Sequence, residues 1–208
     1  FPTRRSSDLA NQAAADLGLP TAASVADLLA ADADALCILP ELDAYPGRRH
    51  PDVYCGALTA PDEGAETPWP GGDTACCFVA LRAQHPQLPA LVDALRRSGQ
   101  RAVLQLAEGT PEQAAAFSAD GIVVARTPVP VSQVHQHCSH AVTDGHAAIT
   151  QALLLGGKPL LLMPSQLEQT MVARRVVDLD AGRLAEPAAG ADALAALLRQ
   201  LVDEPAWA

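Results

Sequence analysis

The 208 residues suffice for one large domain or two modest ones. A formal charge of −10 with no basic run argues against nucleic acid or an anionic membrane as the main partner. No apolar run approaches the ~20 residues of a membrane helix, and the N-terminal residues lack the apolar centre of a signal peptide. Hydrophobic residues make up 49% and aromatics only 3%, so Ala, Leu and Val must fill the core. Cys37, Cys55, Cys76, Cys77 and Cys138 are odd in number and lack C-x-x-C spacing, which fits a reducing, cytoplasmic setting. His135, His137, His140 and His146 are dense, but they straddle a helix end, a strand and a turn, so no metal site is expected.

In chain order, residues 1–9 (FPTRRSSDL) match neither the Ala/Leu-rich composition that follows nor an element signal. They are expected to be non-native, with the native start upstream of residue 10. Residues 10–19 suggest a helix ended by Gly18 and Pro20. Ser24-x-x-Asp27 is an acidic capping box, after which Val25, Leu28 and Leu29 mark one helix face. A strand is expected over 35–39, closed by Pro40. Residues 44–73 carry ten Pro and Gly positions and read as an interdomain linker, with one short strand over 53–58.

From residue 74 strands and helices alternate. Strands are expected over 74–81, 102–106, 122–125, 140–143, 160–163 and 182–185. Between them Leu88, Leu91, Val92 and Leu95 form an apolar stripe ended by Gly99, 111–117 is a helical turn and 131–137 a short helix. Residues 147–155 form a helix ended by Gly156-Gly157. A further helix runs from Leu167, with Arg174 and Arg175 on the wet side, and the stripe Leu194, Leu197, Leu198, Leu201 closes the chain. This alternation predicts an α/β, Rossmann-like doubly wound parallel sheet. Its turn at Asp144-Gly145-His146 puts a helix N-terminus at the carboxyl edge of the sheet, where anions tend to bind.

Residues 144–176 carry a more specific pattern. Asp144-Gly145-His146, Ala152-Leu153-Leu154, Gly157-Lys158-Pro159, the apolar run to Pro164, Glu168-Gln169 and Ala173-Arg174-Arg175-Val176 follow one another at fixed spacing. The series resembles the donor-binding signature of GT-B fold, family 1 (UDP-glycosyltransferase-like) glycosyltransferases. Arg126-Thr127-Pro128-Val129 stands where plant members carry Trp-x-Pro-Gln, at matching distance from Asp144. The resemblance covers roughly residues 25–185. It implies a GT-B C-terminal domain over 74–208, a linker over 44–73 and, over 10–43, a remnant of the N-terminal acceptor domain.

The site residues that the resemblance implies each have a plainer reading. Gly145 lets the backbone approach a diphosphate while the N–H groups of His146, Ala147 and Ala148 point outward; the alternative is an ordinary helix-starting turn. Asp144 replaces a phosphate-donating His and reads better as a helix cap, with His146 able to restore a donor. Ala152 replaces the Glu that holds the ribose hydroxyls, and Gln151 beside it points elsewhere on the helix. Glu168 and Gln169 match the pair that receives sugar hydroxyls, or else simply begin a solvated helix. Arg82 stands near the family's Ser-x-Gly loop, either reaching a phosphate or exposed. Arg126 would stack on the base, and the backbone of Thr127, Pro128 and Val129 would read the base edge.

The catalytic base of such enzymes is a His in the acceptor domain, so no catalytic residue is expected here and the chain alone should not turn over. The implied function is part of a transferase moving a hexose from a nucleoside diphosphate sugar, with UDP as one candidate nucleotide, to a hydroxyl of a small lipophilic acceptor. No cofactor or metal is required. The alternative is a degenerate, non-catalytic GT-B relative acting as a binding or auxiliary subunit; a weaker third is sugar-nucleotide epimerisation, which would want more carboxylates.

Overall fold

The computed structural model describes residues 6–28, 30–45, 53–58, 62, 64 and 66–203. The chain divides into two compact units, Phe1–Ala35 and Leu36–Ala208. The first contains α1 (Ser6–Asp16) and α2 (Val25–Leu28). Helix α1 starts inside the stretch expected to lack any element signal. Ser6, Ser7 and Asp8 are residues that suit a helix N-terminus. Past its end, Gly18 takes a left-handed φ of +67°. The Asn11 amide then mimics a strand partner, donating to the Ala22 carbonyl and accepting its N–H, both at 2.8 Å. The Ser24/Asp27 capping box forms as expected, with reciprocal bonds of 2.8 and 3.2 Å. Leu29, expected on the apolar face of α2, lies outside the described residues, as do the side chains of Val25 and Leu28.

The second unit is built on one six-stranded, all-parallel sheet in the order β3-β2-β1-β4-β5-β6. Its elements are β1 (Cys76–Arg82), α3 (Leu88–Ser98), β2 (Arg101–Ala107), α4 (Pro111–Phe117), β3 (Ile122–Ala125), α5 (Val131–His137), β4 (His140–Thr143), α6 (Ala147–Leu155), β5 (Leu160–Leu162), α7 (Leu167–Asp178), β6 (Gly182–Leu184) and α8 (Ala191–Asp203). This is the doubly wound α/β arrangement. Alternate strand residues face opposite layers. Cys77, Val79 and Leu81 pack with Leu88, Leu91 and Leu95 of α3 and Leu194 and Leu198 of α8. Cys76 and Phe78 face the other way, toward Val134 of α5, Leu153 of α6 and Val176 of α7. Strands covered on both faces need continuous apolar runs, which is how CCFVAL and LLL read.

The expected boundary after residue 43 does not coincide with the division between the units. Leu42, in the 3-10 turn Pro40–Leu42, is fully buried among Phe78, Leu153 and Val176, so this segment packs with the sheet. Two long-range bonds hold it there: the Leu39 N–H donates to Gln151 Oε1 at 2.6 Å, and Arg175 Nε donates to the Asp43 carbonyl at 3.1 Å. Arg175 is therefore half-buried rather than on the wet side. The strands expected over 35–39 and 53–58 reduce to one parallel bridge between Leu36 and Tyr54. Too few neighbours flank it to extend a ladder.

His140 on β4 is fully buried. Nε2 donates to Gln100 Oε1 (3.1 Å), and Nδ1 accepts from the Ser139 hydroxyl (2.9 Å). Gln100 is oriented by donating to the Leu198 carbonyl at 3.4 Å. Burial pushes the imidazole pKa down to about 4. The unfolded chain then binds a proton between about pH 6.5 and 4 that the folded chain refuses. This part of the stability is complete above pH 6.5 and is lost as pH falls toward 4. Urea unfolding across that window is expected to show His140→Gln losing less stability than the parent on acidification, the difference approaching about 3 kcal/mol.

Candidate functional site

The strand order reverses between β1 and β4, so a crevice opens outside their carboxyl ends. A cavity of about 500 Å³ fills it, lined on the β1 side by Ala80, Leu81 and Arg82 and beyond β4 by Asp144, His146 and Ile149. Gln105, Leu106 and Ala107 of β2 form its floor. Ala125, Arg126, Thr127 and Pro128, running out of β3, form the far wall. A second hollow of about 310 Å³ shares Arg82 and Asp144 with it and adds Gln84, His85, Glu108 and Ser165. Together they make one cleft along the edge, with Asp144 at the junction.

The turn at the junction is fixed by local chemistry. Gly145 has φ +91°, and a Cβ there would lie 2.7 Å from the Gln169 carbonyl oxygen, so neither the backbone nor the space admits a side chain. The Gly145 N–H donates to Thr143 Oγ1 (3.3 Å). Asp144, 7% exposed, accepts the His146 N–H on Oδ1 (2.9 Å) and the Gln169 amide on Oδ2 (2.7 Å). It therefore holds the turn itself. The helix N-cap is His146, and no side chain caps it. Among the described residues no acceptor takes the N–H groups of Ala147 and Ala148.

Gln169 is engaged differently from the sequence expectation. Its Oε1 accepts from Ser165 N–H (2.9 Å), Ser165 Oγ (3.1 Å) and Gln166 N–H (3.1 Å), while Nε2 serves Asp144. The amide oxygen is saturated, leaving a single N–H for anything else. Glu168, one position earlier, is exposed and lines neither hollow. Val129 is also withdrawn: it is buried, and its N–H donates to Gln105 Oε1 at 2.7 Å, so that N–H is not free to read a base edge.

The cleft thus brings together Arg82, Arg126, Pro128, Asp144 and His146, but not Val129, Glu168 or Gln169. Arg82 is exposed and lies 3.5 Å from Glu108, a pairing that solvent weakens. The loop after β1 has no Gly; His85 Nδ1 accepts the Gln87 N–H (3.3 Å), and Nε2 donates to the Met163 carbonyl (2.9 Å), fixing the loop against β5. The other histidines are dispersed: His135 Nε2 meets the Ala152 carbonyl at 2.9 Å and His137 stacks on Trp69 at 4.9 Å. Among the described residues no group of three His, Cys, Asp or Glu side chains could hold a metal. Sequence reasoning missed Gln105 and His85. Gln105 left a trace, as a polar interruption of the buried strand AVLQLA.

No protein-family model matches the chain, and no curated protein does. Solved structures do. The glycotransferase of kitacinnamycin superposes with a TM-score of 0.77 at 20% identity, over 95% of this chain and 53% of that one. Glycosyltransferase VinC, solved in complex with dTDP, gives 0.75 at 19% identity over 99% and 53%. The calicheamicin glycosyltransferase CalG4 gives 0.69 at 17% over 96% and 51%. The fold is that of the C-terminal part of GT-B glycosyltransferases. The chain spans about half the length of these GT-B structures, and at such identities the match establishes the fold alone.

Two substitutions test the turn. Gly145→Ala is expected to cost at least ~2 kcal/mol, from left-handed strain and the clash with the Gln169 carbonyl, read by urea unfolding. Gln169→Leu removes four hydrogen bonds around the Asp144 junction. It should destabilise by about 2–3 kcal/mol, with amide exchange accelerated at Ser165 and Gln166 as its signature.

Proposed function

We propose that this chain is the donor-binding part of a glycosyltransferase that moves a hexose from a nucleoside diphosphate sugar to an acceptor hydroxyl. The observation that carries the reading is the cleft at the switch point of a GT-B sheet, with two arginines and a helix N-terminus converging on it. The apolar wall of Ala125, Pro128 and Ile149 suits a flat base. Arg126 would stack on that base, and Arg82 with the free N–H groups of Ala147 and Ala148 would meet phosphate oxygens. In such a transfer the helix N-terminus and Arg82 would stabilise the departing diphosphate, while the acceptor hydroxyl is deprotonated by a base outside this chain. The nucleotide sugar is a substrate, so no cofactor enters.

The half-length match supports a missing acceptor-binding domain as the partner. The neighbours' names, among them a calicheamicin glycosyltransferase, support a small natural product as acceptor, here proposed to be lipophilic. The cytoplasmic setting proposed with it rests on the cysteine pattern alone. Among the described residues no helix is long and apolar enough to cross a membrane. UDP and dTDP are the nucleotides bound by LpCGTa and VinC and are the first to try. The domain organisation proposed is residues 10–43 as the end of an acceptor domain, its last stretch from Leu36 laid against the donor sheet, 44–73 as connection and 74–208 as donor domain.

Two observations favour a second reading, a non-catalytic relative acting as a binding or auxiliary subunit: Asp144 sets a carboxylate where a diphosphate would lie, and Ala152 offers the ribose no acceptor. Calorimetric titration with UDP and dTDP separates the two. Millimolar or tighter dissociation constants are expected for the donor domain, and absence of heat with both would leave the relative. A radiolabelled-sugar transfer assay on the chain alone is expected to show no turnover.

A further inference from the structure

Within β2, Val103 and Gln105 share the face toward α5 and α6. Gln105 is half-buried and lines the cavity between the β3 wall and Ile149. Its Oε1 accepts the Val129 N–H at 2.7 Å, and that bond fixes the sense of the amide. Nε2 has no acceptor among the described residues and is not a buried atom, so it faces the open space that Gln105 lines. The amide thus takes a backbone donor that could have met a ligand and offers its own N–H groups instead. Around it the lining is apolar: Leu106, Ala107, Ala125 and Pro128.

Register places this donor. Gln105 pairs with Ala80, which pairs with Thr143, so Gln105 lies level with the start of the Asp144 turn and two strands away, about 10 Å. With the anion end of a nucleotide at β1 and β4, the edge of the base farthest from its ribose comes to Gln105. We infer that Gln105 is a specificity-determining residue of the cleft, selecting a pyrimidine with a carbonyl rather than an amino group at position 4. The inference rests on the nucleotide-binding reading above. A uracil or thymine ring presents an acceptor at that position, whereas cytosine presents a second donor to a donor.

Titration of the whole 208-residue chain with UDP, dTDP and CDP tests it. All three carry the same diphosphate, so the charge of Asp144 cancels from the ratios. UDP and dTDP are expected to bind about tenfold more tightly than CDP. In Gln105→Glu the carboxylate still accepts the Val129 N–H but presents only acceptors, so the UDP-to-CDP preference reverses. Should thermal melting show that variant unfolded, Gln105→Met carries the readout, with the ratio falling to about one. Equal binding of UDP and CDP by the parent, or a ratio unmoved in the folded variant, overturns the inference and leaves the proposed function standing. Absence of heat with every nucleotide removes both.

Discussion

The Gln169 amide donates to Asp144 across 2.7 Å, and the carboxyl edge of the sheet depends on that bond. It joins the turn after β4 to the start of α7. The same amide oxygen gathers Ser165 and Gln166, and the same carboxylate holds the His146 N–H. Two successive loops of the βαβα unit are thereby one hydrogen-bonded object. Gly145 is the backbone condition for it, since any Cβ would push against Gln169. A buried network of this kind stabilises only while every member is satisfied, because an orphaned carboxylate at 7% exposure costs far more than one hydrogen bond returns.

The lock also sets the electrostatics of the cleft. Unit charges 4 Å apart interact by about 4 kcal/mol at an effective dielectric of 20. Asp144 thus opposes a diphosphate at the turn by an amount comparable to what Arg82 supplies. Arg82 is already partly screened by solvent and by Glu108. The two readings of the chain differ in this balance and not in the fold, which both share. In the donor-binding reading, His146, Arg126 and the free N–H groups of the α6 N-terminus would have to tip it toward the anion.

Most of the sheet was legible from the sequence because buried parallel strands demand unbroken apolar runs and their helices carry clear stripes. The runs at 122–125 and 140–143, and the helices at 131–137 and 147–155, have the bounds that the sequence pattern assigns, while 111–117, read as a helical turn, is a 7-residue helix closed by the Thr110 capping box. Before residue 74 the sequence was less informative. Leu36 and Tyr54 look strand-like, yet one bridge is all they make, since strand formation depends on partners and not on propensity. At the site, the positions that line the cleft were visible through their chemistry: Arg82, Arg126, Asp144 and His146 stand out among apolar neighbours. The hydrogen-bond partners were not. Whether Gln169 faces a sugar or Asp144, and whether the Val129 N–H is free, is decided by contacts across 25 and 24 residues that no local pattern encodes.

The two ends of the cleft are built to different standards of rigidity. The β3–α5 loop is held from below by Gln105. It is held from above by the connecting segment, where Asp62 Oδ1 accepts the Ser132 N–H (3.1 Å) and Gly64 sits so close to the Pro128 carbonyl that a Cβ would overlap it. The bonds to Ser132 hold the Asp62 carboxyl below its ordinary value, which favours the charged form that accepts them. Farther along, Thr67 and Trp69 both donate to Gln133 Oε1, at 3.3 and 3.1 Å. Nothing comparable restrains Arg82, whose guanidinium lies in solvent beside an equally exposed glutamate. A pre-organised wall recognises shape and donor pattern at little entropic cost, whereas an exposed arginine must be ordered by the group it binds. On the proposed reading, discrimination between ligands would therefore belong to the Gln105–Pro128 end of the cleft, and the charged end would adjust to whatever anion that choice brings with it.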